Sequence, residues 1–185
     1  MAGMEGLGRL FDFGTGWAPT DVDTANAITG MRVSMAHATG ITFLVSTLAG
    51  GAENLTLDVQ QHTAYTGGTS ADLDATAVSD SRGIDHYYIK AETTLDNDEA
   101  WVKVTQTAAS EVVVVGATYG AMEKLIAIHV SADQLGDGYT HLSLNAACTT
   151  ATSQIMSCTY VLHDLMVQRK PTNLGNLLRP GAANV

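Results

Sequence analysis

Residues 124 to 165 constrain the fold most. Lys124-Leu125-Ile126-Ala127-Ile128-His129-Val130, then Tyr139-Thr140-His141-Leu142-Ser143-Leu144-Asn145, then Gln154 to Leu165, are runs of strand length rich in β-branched and aromatic residues. Short segments carrying Asp, Gly, Ser or Thr separate them, so they read as three sheet strands. Alternation sets Ile126, Ile128 and Val130 on one face, and Leu142 and Leu144 on the inner face of the next strand. His129 and His141 then point the other way. By the same parity Cys148 falls with Leu142 and Leu144, and Cys158 with Met156, Tyr160 and Leu162, so both thiols are expected in the core.

The rest of the chain continues this texture. Met31 to Met35 and Ile41 to Leu48, about the turn-like Ala36 to Gly40, predict a β-hairpin. Leu55, Leu57 and Val59 alternate with Thr56, Asp58 and Gln60, which predicts a half-buried strand. Residues 66 to 83 read as one long loop. Strands are expected at Asp85 to Lys90 and Trp101 to Thr107, joined by the turn Asp96 to Glu99, and Glu111 to Gly116 reads as a strand buried on both faces. Pro19 and Pro171 bracket a long stretch without proline, which suits paired strands because proline cannot donate a ladder hydrogen bond. The expected architecture is all-β: an antiparallel β-sandwich or jelly-roll-like domain over residues 28–168, between an N-terminal arm (1–27) and a basic C-terminal arm (169–185).

Charge narrows the choice of partner. The chain carries 9 basic and 19 acidic residues, net −10. Arg169, Lys170 and Arg179 lie in the last arm with no acid, so that arm is +3, and the 6 remaining basic against 19 acidic residues leave −13 on the body. A body of that sign argues against a nucleic-acid groove, which relies on clustered Lys and Arg, and no nucleic-acid partner is expected. No apolar run is long enough to span a bilayer, and no membrane partner is expected. The start, Met1-Ala2-Gly3-Met4-Glu5, has neither a basic region nor an apolar core of a secretory signal, so synthesis in a reducing cytoplasm is expected. Two cysteines are too few for a disulfide scaffold and lack zinc-site spacing.

Catalytic patterns fail one by one. Asp133-Gln134-Leu135-Gly136-Asp137-Gly138 has Leu135 at the third position of a calcium loop and Leu144 at the twelfth, where oxygen ligands are needed, so its acids read as turn formers. Asp96, Asp98 and Glu99 read as an exposed turn. Asp85-His86 and His163-Asp164 are sequence neighbours on a strand and point to opposite faces, so neither forms a ready dyad. There is no Gly-x-Ser-x-Gly elbow, phosphate loop or dinucleotide fingerprint. No catalytic residue, cofactor or metal is therefore expected, and the chain does not read as an enzyme. Tyr87, Tyr88 and Trp101 leave one alternative open, an aromatic platform for a carbohydrate.

The arms carry the candidate contacts. Phe11, Phe13 and Trp17 either fold back on their own domain or dock on a neighbour, since exposed aromatics tend to find a surface. In the second arm Arg169, Lys170 and Arg179 offer charge while Leu174, Leu177 and Leu178 offer apolar anchors.

One family resemblance sharpens this reading. Val33-Ser34-Met35 leading into Ile41-Thr42-Phe43-Leu44-Val45, Leu55-Thr56-Leu57 before a Gly/Thr/Ser loop, and Lys124 to Asn145 with its Ser-Ala-Asp-Gln-Leu insertion resemble β-sandwich capsid decoration (cement) proteins of tailed bacteriophages, over roughly residues 30–168. The resemblance implies a structural virion protein on the outer surface of an icosahedral shell, made in the bacterial host cytoplasm. It implies two partners, the major capsid protein and further copies of itself, with a trimer favoured. Phe11, Phe13, Trp17, Arg169, Lys170, Leu174, Leu177, Leu178 and Arg179 are the contacts expected on that view. A neck or tail subunit of the virion shares the same strand-rich composition.

Overall fold

The computed structural model describes residues 6–23, 26–74, 82–148 and 153–166. The strands are β1 (Phe11–Asp21), β2 (Val33–Ser34), β3 (Ala38–Thr47), β4 (Leu55–His62), β5 (Ser70–Asp72), β6 (Ile84–Glu92), β7 (Val102–Ala109), β8 (Glu111–Val114), β9 (Glu123–Ser131), β10 (His141–Cys148) and β11 (Ile155–Leu165). A one-turn helix α1 (Gly116–Tyr119) and a 3-10 turn at Ala132–Gln134 lie among them. Every strand pair is antiparallel. The first sheet runs β1-β11-β3-β9-β6-β7, and the second runs β2-β10-β4-β5 with β8 also on β4. The all-β sandwich expected from the alternation is present.

Its core lies between the two sheets and follows the period of 2. Ile41, Phe43 and Val45 of β3 and Ile126, Ile128 and Val130 of β9 face Leu55, Leu57 and Val59 of β4 and Leu142 and Leu144 of β10, all nearly free of solvent contact. Each such side chain contributes about 1.5–3 kcal/mol through removal from water. Cys148 and Cys158 are buried and unbonded, and burial pushes the Cys158 thiol up to about 12. Lys124 is also buried, and its Nζ donates to the carbonyls of Tyr119 (3.0 Å) and Met122 (2.7 Å), tying the turn after α1 to β9. Burial lowers its pKa to about 8, because the charged form loses hydration.

Several local expectations are corrected by the pairing. β2 and β3 do not form a hairpin: β2 pairs β10 in the second sheet, while β3 pairs β11 and β9 in the first. The three runs of residues 124–165 are strands as expected, and the pairing divides them between the two sheets. β9 and β11 flank β3, and β10 lies in the opposite layer. β8 is not buried on both faces, since Val112 and Val114 face the core while Val113 and Val115 are exposed. The loop at 66–83 contains β5. Residues 11–21 of the expected N-terminal arm are instead the edge strand of the first sheet. Among the described residues, no helix is long and apolar enough to cross a membrane.

Candidate docking surface

β1 is an edge strand whose one strand partner among the described residues is β11, and it carries Pro19, a residue that edge positions tolerate. Its register places Phe11 opposite His163, Phe13 opposite Val161 and Thr15 opposite Thr159, all facing outward. Simple alternation would put residue 17 on the same outer face. A register shift between Thr15 and Trp17 intervenes, and Trp17 pairs with Cys158, whose side chain points inward. The extra residue is Gly16, packed so closely on β11 that a Cβ there would stand 2.8 Å from Cys158 Sγ. Trp17 is therefore 5% exposed, against 37% for Phe11 and 55% for Phe13. Of the three expected contacts, Phe11 and Phe13 are available and Trp17 is corrected to a core residue.

Inward from the two phenylalanines lies a histidine pair. His129 of β9 and His163 of β11 stack across β3, ring centroids 4.8 Å apart and planes 22° from parallel. Thr42 of β3 holds them: its Oγ1 lies 3.3 Å from His129 Nδ1 and 3.0 Å from His163 Nε2. Gly40 makes the space, since a Cβ there would meet His163 Cε1 at 2.7 Å and His129 Cε1 at 2.9 Å. The His129 pKa is held down by burial first, then by repulsion from His163 and His86, with Asp164 opposing. His86 and Tyr88 of β6 continue the surface, edge to face at 5.5 Å.

Cross-strand pairing shows which part of this outer face lacks acids, with Glu92 and Glu123 paired farther along β6 and β9. One row runs Thr15, Thr159, Leu44, Ala127, Tyr88, Lys103, and the next runs Phe13, Val161, Thr42, His129. Neither row contains a carboxylate. Asp85 and Asp164 stand at the margins, each beside its neighbouring histidine: Asp85 hydrogen-bonds His86 Nδ1, and Asp164 Oδ2 lies 3.9 Å from His163 Nδ1. The Asp85-His86 contact corrects the expectation that the two point apart, for a register shift between Ile84 and His86 interrupts the alternation there.

The outer face of the second sheet is of another kind. Asp58 and Glu111 sit opposite each other on β4 and β8, and Gln60 Nε2 donates to Asp72 Oδ1 at 3.3 Å. The Asp58 pKa is raised by burial, with Asp72 and Glu111 adding to it. Arg32 crosses this face as a strut, donating to the carbonyls of Ala64 (2.8 Å) and Gly67 (2.7 Å) and to Ser70 Oγ (3.0 Å). Beneath it His62 is buried, its Nδ1 2.7 Å from Ser70 Oγ and its Nε2 2.9 Å from Ser143 Oγ. Burial, then the charges of Arg32 and His141, lower its pKa to about 4, so the ring is neutral. A hydroxyl beside a neutral imidazole is half of a nucleophilic dyad. Here the arginine also engages that hydroxyl and clamps the loop, so the network reads as a tie.

The remaining candidates are separated by the fold. Tyr87 is buried, while Tyr88 and Trp101 are exposed and Lys90 Nζ lies 5.5 Å from the centre of the Trp101 ring. The carbohydrate platform thus loses one of its three aromatics. Glu92, Asp96, Asp98 and Glu99 bring carboxylate oxygens within 4.8 Å of one another at the β6–β7 turn. Two of those groups cap the turn: Glu99 Oε1 accepts the Asp96 N–H at 2.7 Å, and Asp96 Oδ1 the Asp98 N–H at 3.4 Å. Asp133 sits in the first turn of a 3-10 segment closed by a capping box of Ser131 and Gln134, as a turn former should. Arg169, Lys170, Leu174, Leu177, Leu178 and Arg179 lie outside the described residues. The histidine pair and its glycine escaped the sequence reading, whose only signal was that His129 faces away from the core. No protein-family model matches the chain, and no curated protein matches it.

Proposed function

We propose that the protein is a structural component of a tailed-bacteriophage virion, binding the outside of the icosahedral shell and bridging major capsid subunits. The observation that supports this reading most is the outer face of the first sheet. Phe11 and Phe13 are exposed there beside rows without a carboxylate, on a chain of net charge −10. A surface of this kind loses little by leaving water and gains apolar contact when another protein covers it. Binding as an oligomer, with a trimer favoured, lets many modest contacts add. No catalytic step is part of this function.

Imaging of purified particles tests it directly. The wild-type protein should decorate the shell, and a Phe11→Ser, Phe13→Ser double variant should lose occupancy by roughly ten-fold or more, as expected when apolar anchors are removed. Absence of the wild type from the shell, or undiminished occupancy of the folded double variant, overturns the reading. Exposure of Tyr88 and Trp101 on the same face favours a glycan ligand as the second reading, which silence on a glycan array would remove.

A further inference from the structure

Between β7 and β8 the sandwich opens into a trough. The two strands are consecutive but lie in different sheets, diverging from a corner at Ser110, and Gln106 Nε2 pins that corner by donating to the carbonyls of Ile84 (2.9 Å) and Glu111 (2.7 Å). A cleft of about 650 Å³ lies between them, lined by Tyr87, Val104, Ala109, Val113, Val115 and Tyr119 together with four threonines, Gln106 and Glu111. A second hollow of about 490 Å³ adjoins it at Tyr119 and continues past Val102 and Met122. The middle of the trough is apolar and its ends are acidic. Glu111 stands at the corner, and Glu92 and Glu99 at the far end beside Asp96 and Asp98. Among the described residues β7 pairs only with β6, so its other backbone edge carries no described strand and can accept one.

The same chain contains a segment of matching pattern. Residues 169–179 begin with Arg169 and Lys170, end with Arg179, carry Leu174, Leu177 and Leu178 between them, and include no acid. From Lys170 to Arg179 an extended chain spans about 30 Å, and from Trp101, just before β7, to Ala109 at its end the extended chain spans about 26 Å. Cation, apolar stretch, cation therefore matches acid, apolar trough, acid in order and over a similar length. The segment of the same copy is poorly placed to fill this site. β11 is four strand positions from β7, about 19 Å, while Leu165 to Arg169 reaches only about 13 Å when fully extended.

We propose that residues 169–179 of one copy occupy the β7–β8 trough of a second copy as a strand added to β7. The C-terminal segment then joins subunits to each other and is not a contact to the shell. This assignment is independent of the capsid reading, since it concerns only the protein with itself.

A mixing experiment with full-length chains tests it. One variant carries Val104→Cys and the other Leu177→Cys; the native cysteines are buried. Under mild oxidation the mixture should give a disulfide-linked dimer containing one chain of each variant. Neither variant alone should form this product. Cross-linking within a single chain carrying both substitutions at high dilution, or no cross-link in the mixture, overturns the proposal. A peptide of residues 169–179 should compete with the cross-link, and Glu99→Lys with Glu111→Lys should weaken its effect by about ten-fold or more, as for paired interface charges. Competition unaffected by those reversals, or by replacing its three leucines with serine, would also overturn it.

Discussion

The two outer faces of the sandwich are built from the same alternation and have opposite characters. Over the second sheet, Arg32 straps the loop at 63–70 down and His62 is buried beneath it, so the arginine and the histidine are engaged with their own chain. Over the first sheet no described residue bridges the rows that hold Phe13, Thr42, His129 and Tyr88 as Arg32 does on the other face, and two aromatics of its edge strand are exposed. The difference shows where a partner has room. A face strapped down by its own side chains offers a second protein little, whereas an open stretch whose rows lack acids leaves water at small cost.

The largest test of this contrast lies within β1. Trp17→Ala should destabilise the fold by about 3–5 kcal/mol, as deletion of a buried aromatic does, while Phe13→Ala should stay within about 0.5 kcal/mol. Urea unfolding of both variants measures the pair; equal effects would mean that the bulge at Gly16 does not divide the strand into core and surface halves.

The next effect belongs to the covered face. His62 has its pKa lowered from 6.5 to about 4, so below pH 6.5 the unfolded chain takes up the proton that the folded chain refuses. Its contribution is fully present above pH 6.5 and is lost as pH falls toward 4, by roughly 3 kcal/mol in all. His129 and His141 are shifted in the same direction and add to the slope. His62→Gln should flatten the stability profile between those pH values, and an unchanged slope would locate the acid sensitivity elsewhere.

Arg32→Ala comes third, at about 1–3 kcal/mol, because it leaves the loop carbonyls of Ala64 and Gly67 without their charged donor. Hydrogen exchange should quicken across residues 63–70 and remain slow in β3 and β9. The smallest effect is expected on the open face, where Gly40→Ala should separate the stacked rings at a cost of about 1 kcal/mol. Ring resonances of His129 and His163 should move while shell binding, if it is centred on Phe11 and Phe13, stays near the wild-type level.

Much of this molecule is legible from residue types alone. Leu55, Leu57 and Val59, the Ile126 to Val130 series, and both cysteines lie on the side their parity assigns, because the period of a strand is 2 whichever strand lies beside it. Neighbour choice is another matter. The inner faces of both sheets show the same apolar alternation, so nothing local tells β2 to pair β10 while β3 joins β11 and β9. The short turn at Ala36 to His37 looks like a hairpin and is a crossing between layers.

The docking surface was half legible for the same reason. Phe11 and Phe13 were recognisable as aromatics in need of a surface, but one added residue at Gly16 reverses the parity for Trp17, and only contact with Cys158 reveals it. The histidine pair spans residues 129 and 163 through Thr42 and Gly40, four positions that meet only when β9, β3 and β11 lie side by side. By itself the sequence determined that the chain forms strands, which side of most strands is apolar, and that the charge of its last residues opposes that of its body. The tertiary structure decided which strands are neighbours, which aromatic stays outside, and which face is left open, since those depend on contacts between residues far apart in the chain.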